Sequence, residues 1–433
     1  MRNQIFNISE FLPTPNIQFF DGNKFLHHVV ARYVADRLNI ALIDNNLHYY
    51  DAGKYISNNR KIKTFMTKLI PQITEAQRNE VLNHLPHIVE HKEHAPQRYI
   101  GVKNGVYDIE KDILLKHSPK IVLTSLVNAK YDENATDKNI DNMIKTISNN
   151  DGQVEQLIKE MVGYTLYRSN VFGKAFLLKG EGGNGKSMLL NAIGHMLGRD
   201  NIASMSLSDL EGKFNTAILQ GKLANLGDDI SYNMIKDSSI FKKLVTGEEV
   251  KSEQKGRDPF FFRSFATMIF STNRLPKIKD DSKAVLDRLV IVPLEARIRG
   301  TSKDDPFFED KVITENAANS LFMIGIKHLK TLINKRKFII PNSVQLELND
   351  FEKNNNPIKA FVEESIEIGM SPHRKRTKEV YQAYKEYCKR NNYRACASSQ
   401  FTTEIKVLGY ENKNMTINGQ QGRTLFNINE EKT

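Results

Sequence analysis

With 433 residues the chain has room for about two to four domains. Its 62 Lys and Arg against 51 Asp and Glu give a net charge of +11, and 40% of its residues are hydrophobic. This composition is that of a globular chain and favours a polyanion partner, either nucleic acid or an anionic membrane surface. Cys388 and Cys396 form no CxxC, and no His/Cys cluster has zinc spacing, which argues for reduced thiols in a cytosolic protein. No signal-peptide core and no run of ~18 apolar residues is present, so no membrane association is expected and the charge points to nucleic acid.

The elements follow in chain order. Residues 22–39 place Phe25, Val29, Tyr33 and Leu38 on one helical face, and "IALIDNNLHYYDAGKYI" reads as two strands around an Asp-Asn-Asn turn. Residues 60–92 are helical in pattern, with Pro71 and Pro86 as interruptions, and the Asn-Gly pair in 99–119 predicts a hairpin. A helical pair split by "SNNDG" covers 138–170, and strand-like runs then alternate with helices over 171–295, the order of a parallel sheet covered by helices. Residues 309–336 read as one long amphipathic helix with Pro341 as its stop, and 351–360 have the polarity of a linker.

The tail begins with a basic run, Arg374, Lys375, Arg376 and Lys378. A helix follows with Val380, Tyr384 and Tyr387 inward. The next helix has a Ser N-cap, a seam of Phe401, Ile405 and Leu408, and Gly409 as its stop. Two strands complete it. Helix, helix and hairpin in that order predict a winged helix, with Ser399, Gln400, Thr403 and Lys406 facing bases or phosphates; a protein-binding or ring-capping role is the alternative.

Within "AFLLKGEGGNGKSMLLN", Gly180, Gly185, Lys186 and Ser187 satisfy GxxxxGK[ST] between a strand and a helix. Gly180, Glu181, Gly182, Gly183, Asn184, Gly185, Lys186, Ser187 and Met188 would cradle the phosphates of ATP, with Lys186 at the β- and γ-phosphates and the Ser187 hydroxyl on Mg²⁺. "GKLANLGDDI" supplies the acids: Asp228 to hold Mg²⁺ and Asp229 to orient and deprotonate the attacking water, or else an acidic loop. "FATMIFSTNRLP" puts Asn273 at the C-terminal edge of a neighbouring strand, as a ligand to the γ-phosphate or water, or as a turn cap before Pro276. Arg288 precedes an apolar strand and reads as a finger to a neighbouring subunit's ATP, or as an ion-pair partner of Asp287.

Lys186, Asp228, Asn273 and Arg288 follow one another in a compact order that resembles the superfamily 3 helicases, a branch of the AAA+ ATPases. Among these the chain is similar to the phage and plasmid primase–helicase family related to the poxvirus primase–helicase. "NGVYDIEKDILLKHSP", "STNRLP" and "DRLVIVPLEARI" also carry the resemblance. It implies a homo-hexameric ring that threads single-stranded DNA, moves 3′ to 5′ and works in a bacterial host's cytoplasm. In the family, Asp228 would be the magnesium acid, Asp229 the base, Asn273 the sensor and Arg288 the finger, with Arg297 and Arg299 nearby as further candidates. A pore loop would fall at 246–264, where Lys251, Lys255 and Arg257 precede Phe260, Phe261 and Phe262. Basic and aromatic residues together suit a single strand, whereas a buried Phe strand with a solvated loop is the bland reading.

The expected fold is α/β. An N-terminal α+β accessory domain (1–137) without primase features precedes an AAA+ P-loop core (138–340, with a helical collar). A helical linker (341–370) and a winged helix (371–433) follow. The function expected is a replicative DNA helicase that loads itself at duplex origin DNA through the winged helix. The alternative is an ATP-dependent DNA-binding initiator or regulator that does not unwind.

Overall fold

The computed structural model describes residues 17–212, 215–228, 238–253, 259–275, 283–391, 393–417 and 420–427. At its centre lies a five-stranded sheet of β1 (Ala175–Lys179), β2 (Ile202–Ala203), β3 (Ala224–Gly227), β4 (Thr267–Thr272) and β5 (Leu289–Pro293). The spatial order is β2-β3-β4-β1-β5, and every pairing is parallel. The alternating pattern of the sequence thus gives the parallel sheet expected of it. A parallel sheet must be covered on both faces, and the strand residues divide accordingly. Phe176, Leu178, Ile269 and Val292 face one hydrophobic core, and Leu177, Phe270 and Ile291 face the other.

Four helices frame the first face: α1 (Lys138–Ile147), α2 (Gly152–Tyr164), α3 (Lys186–Leu197) and α4 (Glu315–Lys335). Asp137 caps α1 and Asp151 caps α2, the latter accepting from the amides of Gln153 and Val154. Helices α2 and α4 cross at two glycines. A Cβ on Gly163 would sit 2.5 Å from the Gly325 carbonyl oxygen and 2.9 Å from the Leu329 nitrogen. The long stretch 309–336 is broken where the periodicity alone predicts continuity. A short helix, Phe308–Val312, stops, and the Thr314 side chain accepts from the Ala317 amide to start α4. Helix α4 then ends at Arg336 in the left-handed conformation (φ 57°), before Pro341, which instead opens the next helix, Asn342–Asn355. The linker-like 351–360 is helical too: Asn356 caps Pro357–Glu367, with Pro357 in the first turn.

The N-terminal part departs from expectation in three places. Helix His27–Arg37 begins after Phe25, which pairs with Phe20 in a short antiparallel bridge. The two strands around the Asp-Asn-Asn turn are three: Ala41–Ile43, Asn46–Asp51 and Lys54–Ile56. The Ala52–Gly53 pair, both at positive φ, makes the second turn. The hairpin at Asn104 likewise gains a third strand, Ile113–Leu115, after Asp112 at φ 56°. Helices Asn59–Leu69 and Glu75–Ile88 cover most of 60–92, and the chain is extended from Val89, with His91 bridging Leu42. Pro71 lies between them, and Pro86 is tolerated in the last turn of the second. Residues 30–85 have their own core, but Ile100, Val102, Tyr107, Val127 and Ala129 pack into the central one.

In the tail, helices Thr377–Arg390 and Ser398–Val407 precede a hairpin of Tyr410–Ile417 and Gln420–Asn427, and Lys375–Arg376 adds a third strand. Val380, Tyr384, Tyr387, Phe401 and Ile405 are buried as the periodicity predicts. The second helix has no side-chain cap: Ala397 holds the cap position and Ser398 is already helical.

Candidate active site

The phosphate loop joins the C-terminal end of β1 to α3. Gly183 (φ 82°) and Gly185 (φ 88°) adopt the left-handed backbone that turns successive amides inward, which only glycine does without strain. Lys186, buried at the first position of α3, donates from Nζ to the Gly180 carbonyl at 2.6 Å. It also donates to Asn184 Oδ1 and Asn273 Oδ1, both at 3.1 Å. Asn184 in turn donates to the Leu294 carbonyl at 2.7 Å, tying the loop to the strand beyond β5.

The second half of the site comes from β3 and β4. Asp228 follows β3, and its carboxylate accepts from Ser187 Oγ at 3.1 Å and from Ser271 Oγ. Ser271 lies in β4, two residues before Asn273. The structure therefore brings Lys186, Ser187, Asp228 and Asn273 together at one sheet edge. It adds Ser271, which motif reading missed; its signal was its place at the polar end of "MIFSTN". The polar interruptions of β3 have a structural cause. Asn225, fully buried, bonds both backbone groups of Met205 (2.9 and 3.0 Å), and a Cβ on Gly227 would meet the Met205 carbonyl at 2.4 Å. Leaving those two backbone groups unpaired would cost about 1–3 kcal/mol each.

The remaining residues of the phosphate-binding stretch, Glu181, Gly182 and Met188, flank this centre; Met188 packs against the central core. Asp229 lies outside the described residues. Arg288 lies apart from the loop, at the N-terminal end of β5. Its guanidinium donates to the Ala284 carbonyl, its backbone carbonyl accepts from Ala175, and no ion pair to Asp287 is present. Beside Asp228 a cavity of about 880 Å³ runs along α3, lined among others by Lys54, Lys103, Asn191, His195 and Arg199. Burial, reinforced by the Lys103 charge, lowers the His195 pKa.

The predicted DNA-contacting residues fall into two places. Glu249–Ser252 and Phe260–Arg263 form an antiparallel hairpin stem in which Lys251 pairs across from Phe261, both exposed, while Phe262 is buried opposite Val250. Lys255 and Arg257 lie outside the described residues. In the tail, Ser399, Gln400, Thr403 and Lys406 share an exposed helix face, and Arg374 and Lys375 are exposed. Arg376 differs: it donates to the Met415 carbonyl at 3.0 Å and so holds the hairpin. Among the described residues no His/Cys/Asp/Glu group has the makings of a metal cluster, and no helix is long and apolar enough to cross a membrane.

Comparison with known proteins agrees with this architecture. Residues 21–150 match the family "D5 N terminal like", residues 353–432 match "Poxvirus D5 protein-like", and residues 178–288, which hold the site, match a family of unknown function, DUF5906. The chain is 26% identical over 206 residues to the "Putative helicase L207/L206" of Acanthamoeba polyphaga mimivirus, covering 45% of this chain and 21% of that protein. It is 24% identical over 220 residues to the "Putative helicase 121R" of Invertebrate iridescent virus 3, covering 47% and 23%. The chain thus spans less than a quarter of the length of these curated relatives. Its fold is similar to the apo NrS-1 C terminal region, with a TM-score of 0.57 at 10% identity over 89% of this chain and 95% of that one. The chain is thus similar to D5-like proteins and to viral proteins named putative helicases, with D5-type matches on both sides of a phosphate-loop core.

Proposed function

We propose that this chain is an ATP-driven DNA helicase with a superfamily 3 AAA+ motor, working as a homo-hexameric ring on single-stranded DNA. The observation that carries the reading is the convergence of Lys186, Ser187, Asp228, Ser271 and Asn273 at the C-terminal edge of β1, β3 and β4. The strand order 5-1-4-3-2 supports it, because it sets the acidic strand one place beyond β4 rather than beside the phosphate loop.

The chemistry follows from these side chains. The loop amides and Lys186 counter the charge of the β- and γ-phosphates. Ser187 Oγ and the Asp228 carboxylate are hard oxygen donors 3.1 Å apart and suit Mg²⁺, which when bound neutralises charge between those phosphates. The Ser271 hydroxyl fixes the Asp228 carboxylate. Asn273 accepts from Lys186 through Oδ1, which leaves its amide N–H groups for the γ-phosphate or the attacking water. Asp229, next to Asp228, is proposed as the base.

Arg288 is proposed to complete a neighbour's site. It precedes β5, whose five residues span roughly 16 Å, so it stands at the far end of the sheet from its own phosphate loop. Arg288→Ala and Lys186→Ala chains are each expected to be inactive alone, and a mixture to recover part of the ATPase activity through pairs of one intact loop and one intact finger. A titration of mixed chains checks this, and no recovery at any ratio contradicts a shared site.

The Lys251–Phe261 stem, with Lys255 and Arg257 between its strands, is proposed to contact the strand in the pore, since paired cations and aromatics track single strands. Residues 1–137 are proposed as an accessory domain and 371–433 as a winged helix that holds duplex origin DNA through Gln400, Lys406, Arg374 and Lys375. The exposed face of that second helix favours one other reading, a DNA-binding initiator or regulator that hydrolyses ATP without unwinding.

A further inference from the structure

We propose that residues 168–175, which join α2 to β1, couple Arg288 to the Lys251–Phe261 hairpin, and that Asn170 is the residue that positions the hairpin stem. This rests on the motor reading above and adds the part that carries its stroke from the sheet to the hairpin.

The segment is held at three places. At its start Arg168, buried, donates from Nη2 to the carbonyls of Ala95, Pro96 and Tyr99 at 2.8, 2.9 and 3.2 Å, which fixes this end on the N-terminal region. In its middle Asn170, also buried, donates from Nδ2 to the Leu244 carbonyl at 2.7 Å and to the Ser264 carbonyl at 3.1 Å. At its end Lys174 Nζ donates to the Asp287 carbonyl, and the Ala175 amide donates to the Arg288 carbonyl at 2.8 Å. Little slack separates the last two places. The Gly173 amide (φ 56°) donates to the Asn170 carbonyl at 2.9 Å and closes a tight turn.

What Asn170 holds is the base of the hairpin. Leu244 lies in the last turn of helix Ser239–Thr246, which leads through Gly247 (φ 70°) into strand Glu249–Ser252. Ser264 directly follows the other strand, Phe260–Arg263. A carboxamide nitrogen has two N–H donors, and here one nitrogen serves both legs. A Cβ on Gly247 would meet Asn170 Cβ at 3.4 Å and the Ser264 carbonyl at 3.5 Å, so both legs pack close to this side chain. Leu244, Val245, Val250 and Phe262 share one buried core, so helix and stem move as one body. Coupling between separate sites needs an element whose position both sites bias. Here the backbone of the finger residue is bonded to the segment that holds the stem, five residues from the carboxamide that grips it.

The test is the ATP consumed per base pair displaced on a forked duplex by the full chain, with DNA-free ATPase activity and the thermal transition measured beside it. Asn170→Ala is expected to keep DNA-free turnover within about twofold and to raise the ATP consumed per base pair at least about fivefold. Asn170→Ser keeps one donor and so can hold one leg only; it is expected to raise the cost by less, and it carries the test if the alanine chain does not fold. Leu244→Ala controls for loosening, because it hollows the core beside the same carbonyl and leaves the Asn170 donor in place. It is expected to lower the thermal transition while the ATP cost per base pair stays near that of the unaltered chain. The inference is overturned if the Asn170 variants displace at the unaltered ATP cost, if their DNA-free turnover falls in step with displacement, or if Leu244→Ala raises the cost as much. Absence of displacement by the unaltered chain would instead sink the motor reading on which the inference stands.

Discussion

Lys186→Ala is expected to reduce ATP turnover by at least about 10²–10³-fold, the usual effect of removing one pre-placed donor from a charged transition state. The side chain is buried and held on three sides by the Gly180 carbonyl, Asn184 and Asn273. Its loss removes the loop's one fixed cation and unseats the sensor amide at the same time. Folding should survive: alanine suits a helix's first turn, and the α3 core positions Leu189, Leu190 and Ile193 are untouched. Phosphate release from ATP, measured alongside the thermal transition, separates the two effects. Turnover near that of the unaltered chain would reject Lys186 as the phosphate ligand.

The largest expected effect on stability is at Gly163. Helices α2 and α4 approach through Gly163 and Gly325, and a Cβ on Gly163 would stand 2.5 Å from a backbone carbonyl and 2.9 Å from a backbone nitrogen. Backbone on an interior helix has no rotamer by which to yield, so Gly163→Leu must push the helices apart. The surrounding core includes Val162, Leu166, Leu321 and Leu329, all buried. The expected cost is about 3 kcal/mol, which lowers Tm by roughly 6–12 °C for a unit of this size. Gly163→Ala should cost less, because only one carbon must be accommodated. Equal Tm values for all three chains, read by calorimetry, would show that this crossing does not carry the central unit.

Much of this was legible in the sequence where local chemistry decides structure. The phosphate loop announced itself because its glycines, Lys186 and Ser187 are fixed by short-range geometry between one strand and one helix. The seam Phe401–Ile405 and the buried Val380, Tyr384 and Tyr387 were legible for the same reason, helical period. What escaped was set at long range. Asn225 and Gly227 look like defects in a strand until the Met205 backbone crosses them. Ser271 reads as an ordinary strand residue until the fold sets it beside Asp228. Arg376 reads as one more cation of a basic run, yet it is committed to Met415. Other misses were turn chemistry. Asp112 and Arg336 take positive φ without being glycine, so the strand after Asp112 and the early end of α4 had no glycine to mark them.

The D5-like matches and the likeness of fold to the NrS-1 C terminal region support the proposed motor. The central claim is that hydrolysis at Lys186 is spent on moving a DNA strand. Its most direct test is strand displacement on a forked duplex with ATP, comparing the unaltered chain with Lys255→Ala at matched ATPase activity. The account predicts ATP-dependent displacement by the unaltered chain, and displacement lost in Lys255→Ala while most of the hydrolysis remains. Displacement at the unaltered rate by Lys255→Ala, or hydrolysis without any displacement by the unaltered chain, would contradict it.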